Sequence, residues 1–123
     1  MIGYVTLGTN DFPRAAAFYD ALLAELGAKR FMATESFVMW MAQPGKPGIC
    51  LVTPYDKQAA TAGNGTMVAL VADGPAHVDA VHRKALELGG ADEGAPGLRG
   101  GGFYAGYFRD LDGNKLNVFH MAR

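Results

Sequence analysis

The same order of secondary-structure signals occurs twice along this chain, about half a chain apart. In each half, a short run of strand-forming residues leads into a helix that begins at an Asp-x-Pro sequence, at residues 11–13 and again at residues 73–75. Each helix is followed by glycine and then by further strands. Proline in the first turn removes no backbone N–H group that the helix needs as a hydrogen-bond donor. Glycine accepts the left-handed backbone conformation that often follows the last turn. Because each half supports the assignment of the other, this repeat constrains the fold more than any single element does.

The first half contains one helix and several strand segments. Residues 3–9 are predicted as a strand from the alternation of their side chains. The helix that follows begins at Asn10 or Asp11 and ends at Gly27. Residues 37–41 and 49–53 are predicted as strands joined by a turn, and residues 54–65 as a connector, whereas the segment from Ala28 has no clear pattern. The helix places its apolar residues three or four positions apart, on one face: Ala15, Phe18, Tyr19, Leu22, Leu23 and Leu26.

The second half repeats this order and ends in a hairpin. Residues 67–72 are predicted as a strand, and the helix that follows has one face formed by Val78, Val81, His82 and Ala85. The hairpin covers residues 103–120, with its turn at residues 110–114, D-L-D-G-N. Aspartate side chains can bind nearby backbone N–H groups and Gly accepts positive φ, so a tight turn is predicted here.

Residues 91–102 are dense in glycine and longer than their counterpart in the first half, residues 29–34. They are predicted as a loop, with two interpretations left open. The loop is either a surface connection or a mobile flap over a pocket, since loops of this kind often carry ligand contacts on a rigid scaffold. In the second case Arg99 could contact an anionic ligand; in the first it is solvated.

The composition narrows the class of protein. A chain of 123 residues predicts one globular domain, half of it hydrophobic. The net charge of −1, without blocks of like charge, argues against binding to nucleic acid or an anionic membrane. Neither a signal peptide nor a membrane-spanning run is recognisable. The single cysteine, Cys50, excludes an internal disulfide framework and fits a reducing compartment, so a cytoplasmic protein is predicted.

The terminal hairpin, with its sequence R-D-L-D-G-N-K-L at residues 109–116, and the doubled order of elements together resemble the vicinal-oxygen-chelate superfamily. This superfamily includes glyoxalase I, bleomycin-resistance proteins and extradiol dioxygenases, and the resemblance covers about residues 4–119. It implies an α+β fold with two βαβββ modules, at about residues 1–60 and 66–123, whose curled sheets enclose a cavity. It also implies a homodimer, because short members commonly form the cavity between modules of two chains.

The resemblance allows the metal chemistry of the superfamily to be compared position by position. Metal-dependent members place His, Gln or Glu at four cavity-facing positions, which fall here on Tyr4, Cys50, Met67 and Asn117. Phenol, thioether and amide groups are poor ligands for a divalent ion, and a lone Cys cannot hold one. No metal and no other cofactor is therefore expected. The three histidines, His77, His82 and His120, are predicted to lie away from the cavity or at its boundary.

Side-chain alternation predicts which residues line the cavity. The polar candidates Tyr4, Thr6 and Asn117 are accompanied by soft and apolar side chains, a mixture that suits a small, partly aromatic ligand. The alternative is that these side chains fill a core. The strand at residues 37–41 contributes either Phe37, Met39 and Met41 or Val38 and Trp40, and Tyr104 and Tyr107 lie on opposite faces. The predicted cavity set is Tyr4, Thr6, Trp40, Cys50, Met67, Ala69, Tyr104, Asn117 and Phe119, with Val52 beside Cys50.

Two functions follow from the resemblance. The first is a metal-independent protein that binds a small molecule between two chains, as bleomycin-resistance members do. The second is a lyase or isomerase related to lactoylglutathione lyase, in which Tyr4, Cys50 or Asn117 acts where other members use a metal. Hydrogen-bond donors can stabilise an oxyanion without a metal, whereas a nucleophilic Cys50 would need an activating neighbour that the sequence does not identify. Whether the protein is an enzyme is left open, and the binding function is preferred.

Overall fold

The computed structural model describes residues 1–122 and contains eight strands and two helices within that range. Both helices have 13 residues, and no helix in the described range is long and apolar enough to cross a membrane. In chain order, the elements are β1 (Tyr4–Gly8), α1 (Phe12–Ala24), β2 (Lys29–Ala33), β3 (Phe37–Met41), β4 (Gly48–Val52), β5 (Val68–Val71), α2 (Pro75–Glu87), β6 (Ala91–Leu98), β7 (Phe103–Arg109) and β8 (Lys115–Met121).

The strands form two sheets with the same topology. The order is β1-β4-β3-β2 in the first sheet and β5-β8-β7-β6 in the second. The parallel pairs are β1 with β4 in the first sheet and β5 with β8 in the second. The remaining neighbours in each sheet are antiparallel. Each sheet and its helix thus form one βαβββ unit, which confirms the predicted α+β fold with two modules of this kind.

The two helices begin differently although their sequences look alike. Asp11 caps α1, because its side chain accepts a hydrogen bond from the backbone N–H of Arg14 at 3.3 Å. In α2 the capping position is occupied by Gly74, which has no side chain to cap the helix, and Asp73 lies one residue earlier. The shared Asp-x-Pro sequence therefore marks both helix starts through its proline, and only the first through its aspartate.

The predicted loop at residues 91–102 is wrong for most of its length. Residues Ala91–Leu98 form strand β6, which pairs with β7 from Ala91↔Arg109 to Leu98↔Tyr104, with irregularities around Gly94. Only a short turn remains, at residues 99–102, where three consecutive glycines have positive φ angles of 99°, 60° and 81°. The residues of β6 are poor strand formers, so the pairing partner β7 decides the conformation. The segment is therefore an edge strand followed by a short turn, not a loop.

Each sheet has two distinct faces. The helix-facing faces form one continuous core with both helices, in which the largest fully buried side chains include Trp40, Tyr19 and Phe108. The opposite faces, here called the open faces, point away from the helices. Strand pairing aligns Thr6, Cys50 and Met39 across the first open face, and Ala69, Asn117 and Tyr107 across the second.

The turn between β7 and β8 joins the two modules. Asp110 accepts hydrogen bonds from the backbone N–H groups of Asp112 and Asn114, both at 2.9 Å, and so forms the predicted tight turn. The same carboxylate accepts the hydroxyl of Tyr19 in α1 at 2.5 Å, and the Asn114 amide donates to the carbonyl of Gly8 at 3.0 Å. The D-L-D-G-N sequence thus also anchors the second module to α1 and β1 of the first.

Candidate ligand-binding site

The open face of the first sheet carries three of the predicted site residues. Tyr4 and Thr6 are exposed there, whereas Cys50, their neighbour on β4, is fully buried. Burial raises the pKa of the Cys50 thiol. A nucleophilic cysteine needs the opposite shift, because the thiolate is the reactive form. This face therefore offers a phenol and a hydroxyl to a ligand, and an unactivated thiol beneath them.

The open face of the second sheet combines apolar side chains with one unsatisfied amide. Val71 on β5 is 70% exposed. Its pairing partner on β8, Phe119, stacks on Phe103 with ring centroids 5.4 Å apart. Asn117 is only 2% exposed, and its Oδ1 atom has no hydrogen-bond partner among residues 1–122. A buried amide oxygen without a partner costs free energy. The oxygen is therefore a candidate acceptor for a ligand or for a second chain.

Two cations flank the aromatic ring beside Asn117. The guanidinium carbon of Arg99 and the ammonium nitrogen of Lys115 each lie 5.6 Å from the centre of the Tyr107 ring. Tyr107 and Asn117 are direct partners across β7 and β8. Sequence reasoning considered Arg99 alone, as part of a loop, and did not single out Lys115. The alternation of β8, which places Lys115, Asn117 and Phe119 on one face, was the signal that could have identified it.

An apolar cavity of about 600 Å³ lies between the two modules. Trp40 and Ile49 border it from the first sheet, and Ala69, Val71 and Phe119 border it from the second. The predicted residues Trp40, Ala69 and Phe119 are therefore brought together here. Sequence reasoning missed other residues that line the cavity, because nothing local indicates that the end of α1 and the β3–β4 turn meet β5. These residues are Leu23, Leu26, Ala28, Ala42, Gln43, Lys46, Pro47, Leu70 and Asp73.

Of the orientations that alternation left open, the structure places Trp40 and Tyr104 on the faces opposite to Cys50 and Asn117. Trp40 lies on the helix-facing side of the first sheet, where its indole N–H donates to Asp20 in α1 at 2.8 Å. Tyr104 lies on the helix-facing side of the second sheet and donates to Asp79 in α2 at 2.6 Å. This hydrogen bond raises the pKa of Tyr104. Alternation alone left both orientations open, and the carboxylates supplied by the helices decide between them.

The four positions that correspond to metal ligands in the superfamily do not fit a divalent ion in this chain. Tyr4 and Cys50 belong to the first sheet, Asn117 belongs to the second, and Met67 directly precedes β5 of the second. They supply a phenol, a thiol of raised pKa, a thioether and an amide, so no carboxylate or imidazole is present to replace the hydration of the ion. Across residues 1–122, no three His, Cys, Asp or Glu side chains are grouped closely enough to hold a metal.

The three histidines have structural partners outside the open faces. His77 contacts the carbonyl of Glu25 through Nε2 at 2.7 Å, which connects the two helices. His82 contacts Asp92 at 3.2 Å and the carbonyl of Tyr107 at 3.1 Å through Nε2, so it ties α2 to β6 and β7. His120 lies 3.4 Å from the carbonyl of Ala72.

The profile of the Glyoxalase/Bleomycin resistance protein/Dioxygenase superfamily matches residues 1–118. This chain belongs to that superfamily. A glyoxalase/bleomycin resistance protein from Albidiferax ferrireducens T118 is 36% identical, with a TM-score of 0.89 and coverage of 99% of both chains. A hypothetical protein from S. aureus is 28% identical, with a TM-score of 0.75 and coverage of 98% of this chain and 92% of the other.

Membership of the superfamily establishes the fold but not the reaction. A lactoylglutathione lyase from Agrobacterium tumefaciens is 23% identical, with a TM-score of 0.70 and coverage of 98% of this chain and 92% of its own. At that identity the likeness concerns the fold alone. No functionally curated protein matches the chain. The function of this member of the glyoxalase superfamily must therefore be argued from its own side chains.

Proposed function

We propose that the protein binds a small, partly apolar molecule between its βαβββ modules, without a metal or another cofactor. The observation that carries this proposal is the apolar cavity of about 600 Å³ between the two sheets. This volume lies within the range of small-molecule sites, and its combination of an apolar lining with a few polar groups is typical of them. Val71 and Phe119 connect it to the second open face.

We further propose that a second copy of the chain completes the site. The chain exposes 7100 Å², whereas a folded monomer of 13.0 kDa is expected to expose about 6,350 Å². The excess of about 750 Å² is close to one partner's share of a standard protein interface. Large apolar side chains on the open faces contribute to it, including Tyr4, Met67 and Val71. A cytoplasmic location remains part of the proposal, since the single free cysteine fits a reducing compartment.

Filling the cavity provides the direct test. Ala69 borders the cavity and is exposed, so Ala69→Phe should block ligand entry without disturbing the core. Ligand-observed NMR with a collection of small aromatic and aliphatic compounds should find binders of the wild type. Their affinity should fall at least about tenfold in the variant. Ala76→Phe, on the exposed surface of α2, is the matched control. Absence of any binder, or equal binding to Ala69→Phe, would reject the proposal.

The alternative of a lyase or isomerase is supported by one observation, the buried and unpartnered Oδ1 of Asn117. An amide in such a position can bind a polar group of a substrate, and its N–H₂ group can donate to a developing oxyanion. Cys50 is a weaker candidate, because burial raises the pKa of its thiol. If turnover of a compound is found, Asn117→Ala and Tyr4→Phe should lower its rate. Unchanged kinetics in both variants would reject the enzymatic alternative.

A further inference from the structure

The cations around Tyr107 have no carboxylate partner. Lys115 and Arg99 each lie 5.6 Å from its ring centre, and neither forms an ion pair with a residue in the range 1–122. The nearby carboxylate of Glu93 is already paired with Arg109 at 2.5 Å. Two cations that contact one aromatic ring without a neighbouring anion give this region a positive potential.

The backbone of β6 is adapted to hold Arg99 over this ring. The guanidinium donates to the carbonyl of Ala95 at 2.7 Å and lies across two glycines. A Cβ atom at Gly97 would approach Arg99 Nη1 to 3.1 Å, and one at Gly94 would approach Nη2 to 3.5 Å. The side chain is therefore positioned toward Tyr107 and not extended into solvent.

Lys115 also borders a small cavity of about 210 Å³ at the junction of the modules. Thr6, Thr61 and Thr66 line the same cavity, and no acidic side chain lines it within the described range. The threonine hydroxyls make no hydrogen bond to another residue in that range, so they are free to donate. Hydroxyl donors beside an ammonium group are suited to a carboxylate or phosphate.

We infer that this cavity contains an anion subsite, formed by Lys115 and the threonines, which binds a carboxylate or phosphate of the ligand. Arg99, which contacts the same Tyr107 ring as Lys115, adds positive charge to this region. This inference rests on the proposed function and specifies its ligand class. Lys115, Asn117 and Phe119 lie on the same face of β8. Lys115 and Phe119 are four positions apart, which corresponds to about 13 Å along a strand. The ligand is thus an anion at one end and apolar at the other. Its middle contains a hydrogen-bond donor, placed to satisfy Asn117 Oδ1.

A pair of probes with the same shape, one an anion and one neutral, tests this subsite. 4-Phenylbutanoate and its neutral amide, 4-phenylbutanamide, should be titrated into the isotope-labelled protein and followed by amide chemical shifts. The acid should bind at least about tenfold more tightly than the amide, which is about 1.4 kcal/mol. The shifts should include residues 61–66 and Lys115. The preference should disappear in Lys115→Gln and decrease in Arg99→Gln. Arg83→Gln, which removes an exposed charge from α2, should retain it.

The outcomes separate the subsite from the proposed function. Equal affinity for acid and amide, or a preference that survives in Lys115→Gln, overturns the anion subsite and leaves small-molecule binding intact. If neither compound binds, the same titration should be made with inorganic phosphate. Phosphate-induced shifts at residues 61–66 and 115 that are lost in Lys115→Gln support the subsite independently of the apolar cavity. Absence of those shifts overturns it.

Discussion

At the scale of single residues, Asp20 satisfies two partners that would otherwise be destabilising. Its carboxylate accepts the indole N–H of buried Trp40 at 2.8 Å and pairs through both oxygens with Arg30, each contact also 2.8 Å. The hydrogen bond with Arg30 is the main reason why the pKa of Asp20 is lowered below its ordinary value of 3.8. Trp40 therefore faces α1 because that helix provides an acceptor for its polar end.

Replacing this carboxylate should cause a loss of stability that depends on pH. At neutral pH, Asp20→Asn should lower the free energy of unfolding by about 1 kcal/mol, a modest value because the ion pair is partly exposed to solvent. Since the folded-state pKa is lowered, the contribution is present above the unfolded pKa and is lost as the pH falls through the lower folded value. The stability difference between wild type and variant should therefore be smaller at an acidic pH below 3.8 than at neutral pH.

Urea unfolding followed by the fluorescence of Trp40, the only tryptophan, measures this effect at both pH values. Asp56→Asn is the control, because Asp56 is exposed in the connector and its Oδ1 accepts one hydrogen bond that an asparagine can also accept. A stability difference between wild type and Asp20→Asn that stays constant from neutral to acidic pH would contradict the assigned role.

At the scale of elements, strand β6 is the part of the fold that local sequence signals describe least well. It contains two glycines and Pro96, yet it pairs along its length with β7. Proline is tolerated because β6 is an edge strand, where one row of N–H groups has no partner within the sheet. The glycine run that follows provides the backbone conformation that closes the hairpin, with Gly101 at φ +60°.

Substitution at Gly101 isolates that conformational requirement. A Cβ atom there would meet nothing within 4 Å, so Gly101→Ala adds strain without a steric contact. We expect it to lower the free energy of unfolding by about 1 kcal/mol. Gly101→Asn should cost less, because asparagine tolerates left-handed φ angles better than alanine does. Urea unfolding of both variants is the measurement, and an alanine variant as stable as the wild type would contradict this account of the turn.

At the scale of the whole molecule, the open faces are the surface on which the proposed homodimer depends. The helix-facing faces are covered by α1 and α2, whereas Val71 remains 70% exposed and Tyr4 57% exposed on strands whose other sides are buried. Large side chains exposed in this way on both sheets favour an interaction surface. A homodimer through these faces would cover them and would close the ligand site from both sides.

Introducing a charge on this surface tests the dimer. Val71→Glu should weaken dimerisation at least about tenfold, because a buried unpaired carboxylate is costly at an apolar interface. The fold of each chain should be unaffected, since the side chain is exposed within one chain. Analytical ultracentrifugation over a range of concentrations measures the change, with Ala76→Glu on exposed α2 as the control of equal charge. A monomeric wild type, or equal dimerisation of both variants, would contradict the prediction.

Much of the fold was predictable from the sequence, because its signals are local. The apolar spacing from Ala15 to Leu26 predicts α1 from neighbouring residues only, and the structure buries that face. The Asp110 side chain bonds to N–H groups two and four residues away, so the hairpin turn could be read directly from residues 110–114. The repeated order of elements then predicts two βαβββ modules without any knowledge of their packing.

The candidate site depended on contacts between residues far apart in the chain, and here sequence reasoning was limited. Alternation places residues on one face or the other of a strand, but it does not say which face meets a helix. The orientation of Trp40 is explained only by its hydrogen bond to Asp20 in α1, and the position of Arg99 only by the pairing of β6 with β7. The sequence by itself thus determined both helices, most of the strands, their doubled order and the residue types available, but not β2 or β6. Only the tertiary structure decided which faces were buried and that Lys115 and Arg99 both contact Tyr107, because those outcomes depend on partners distant in sequence.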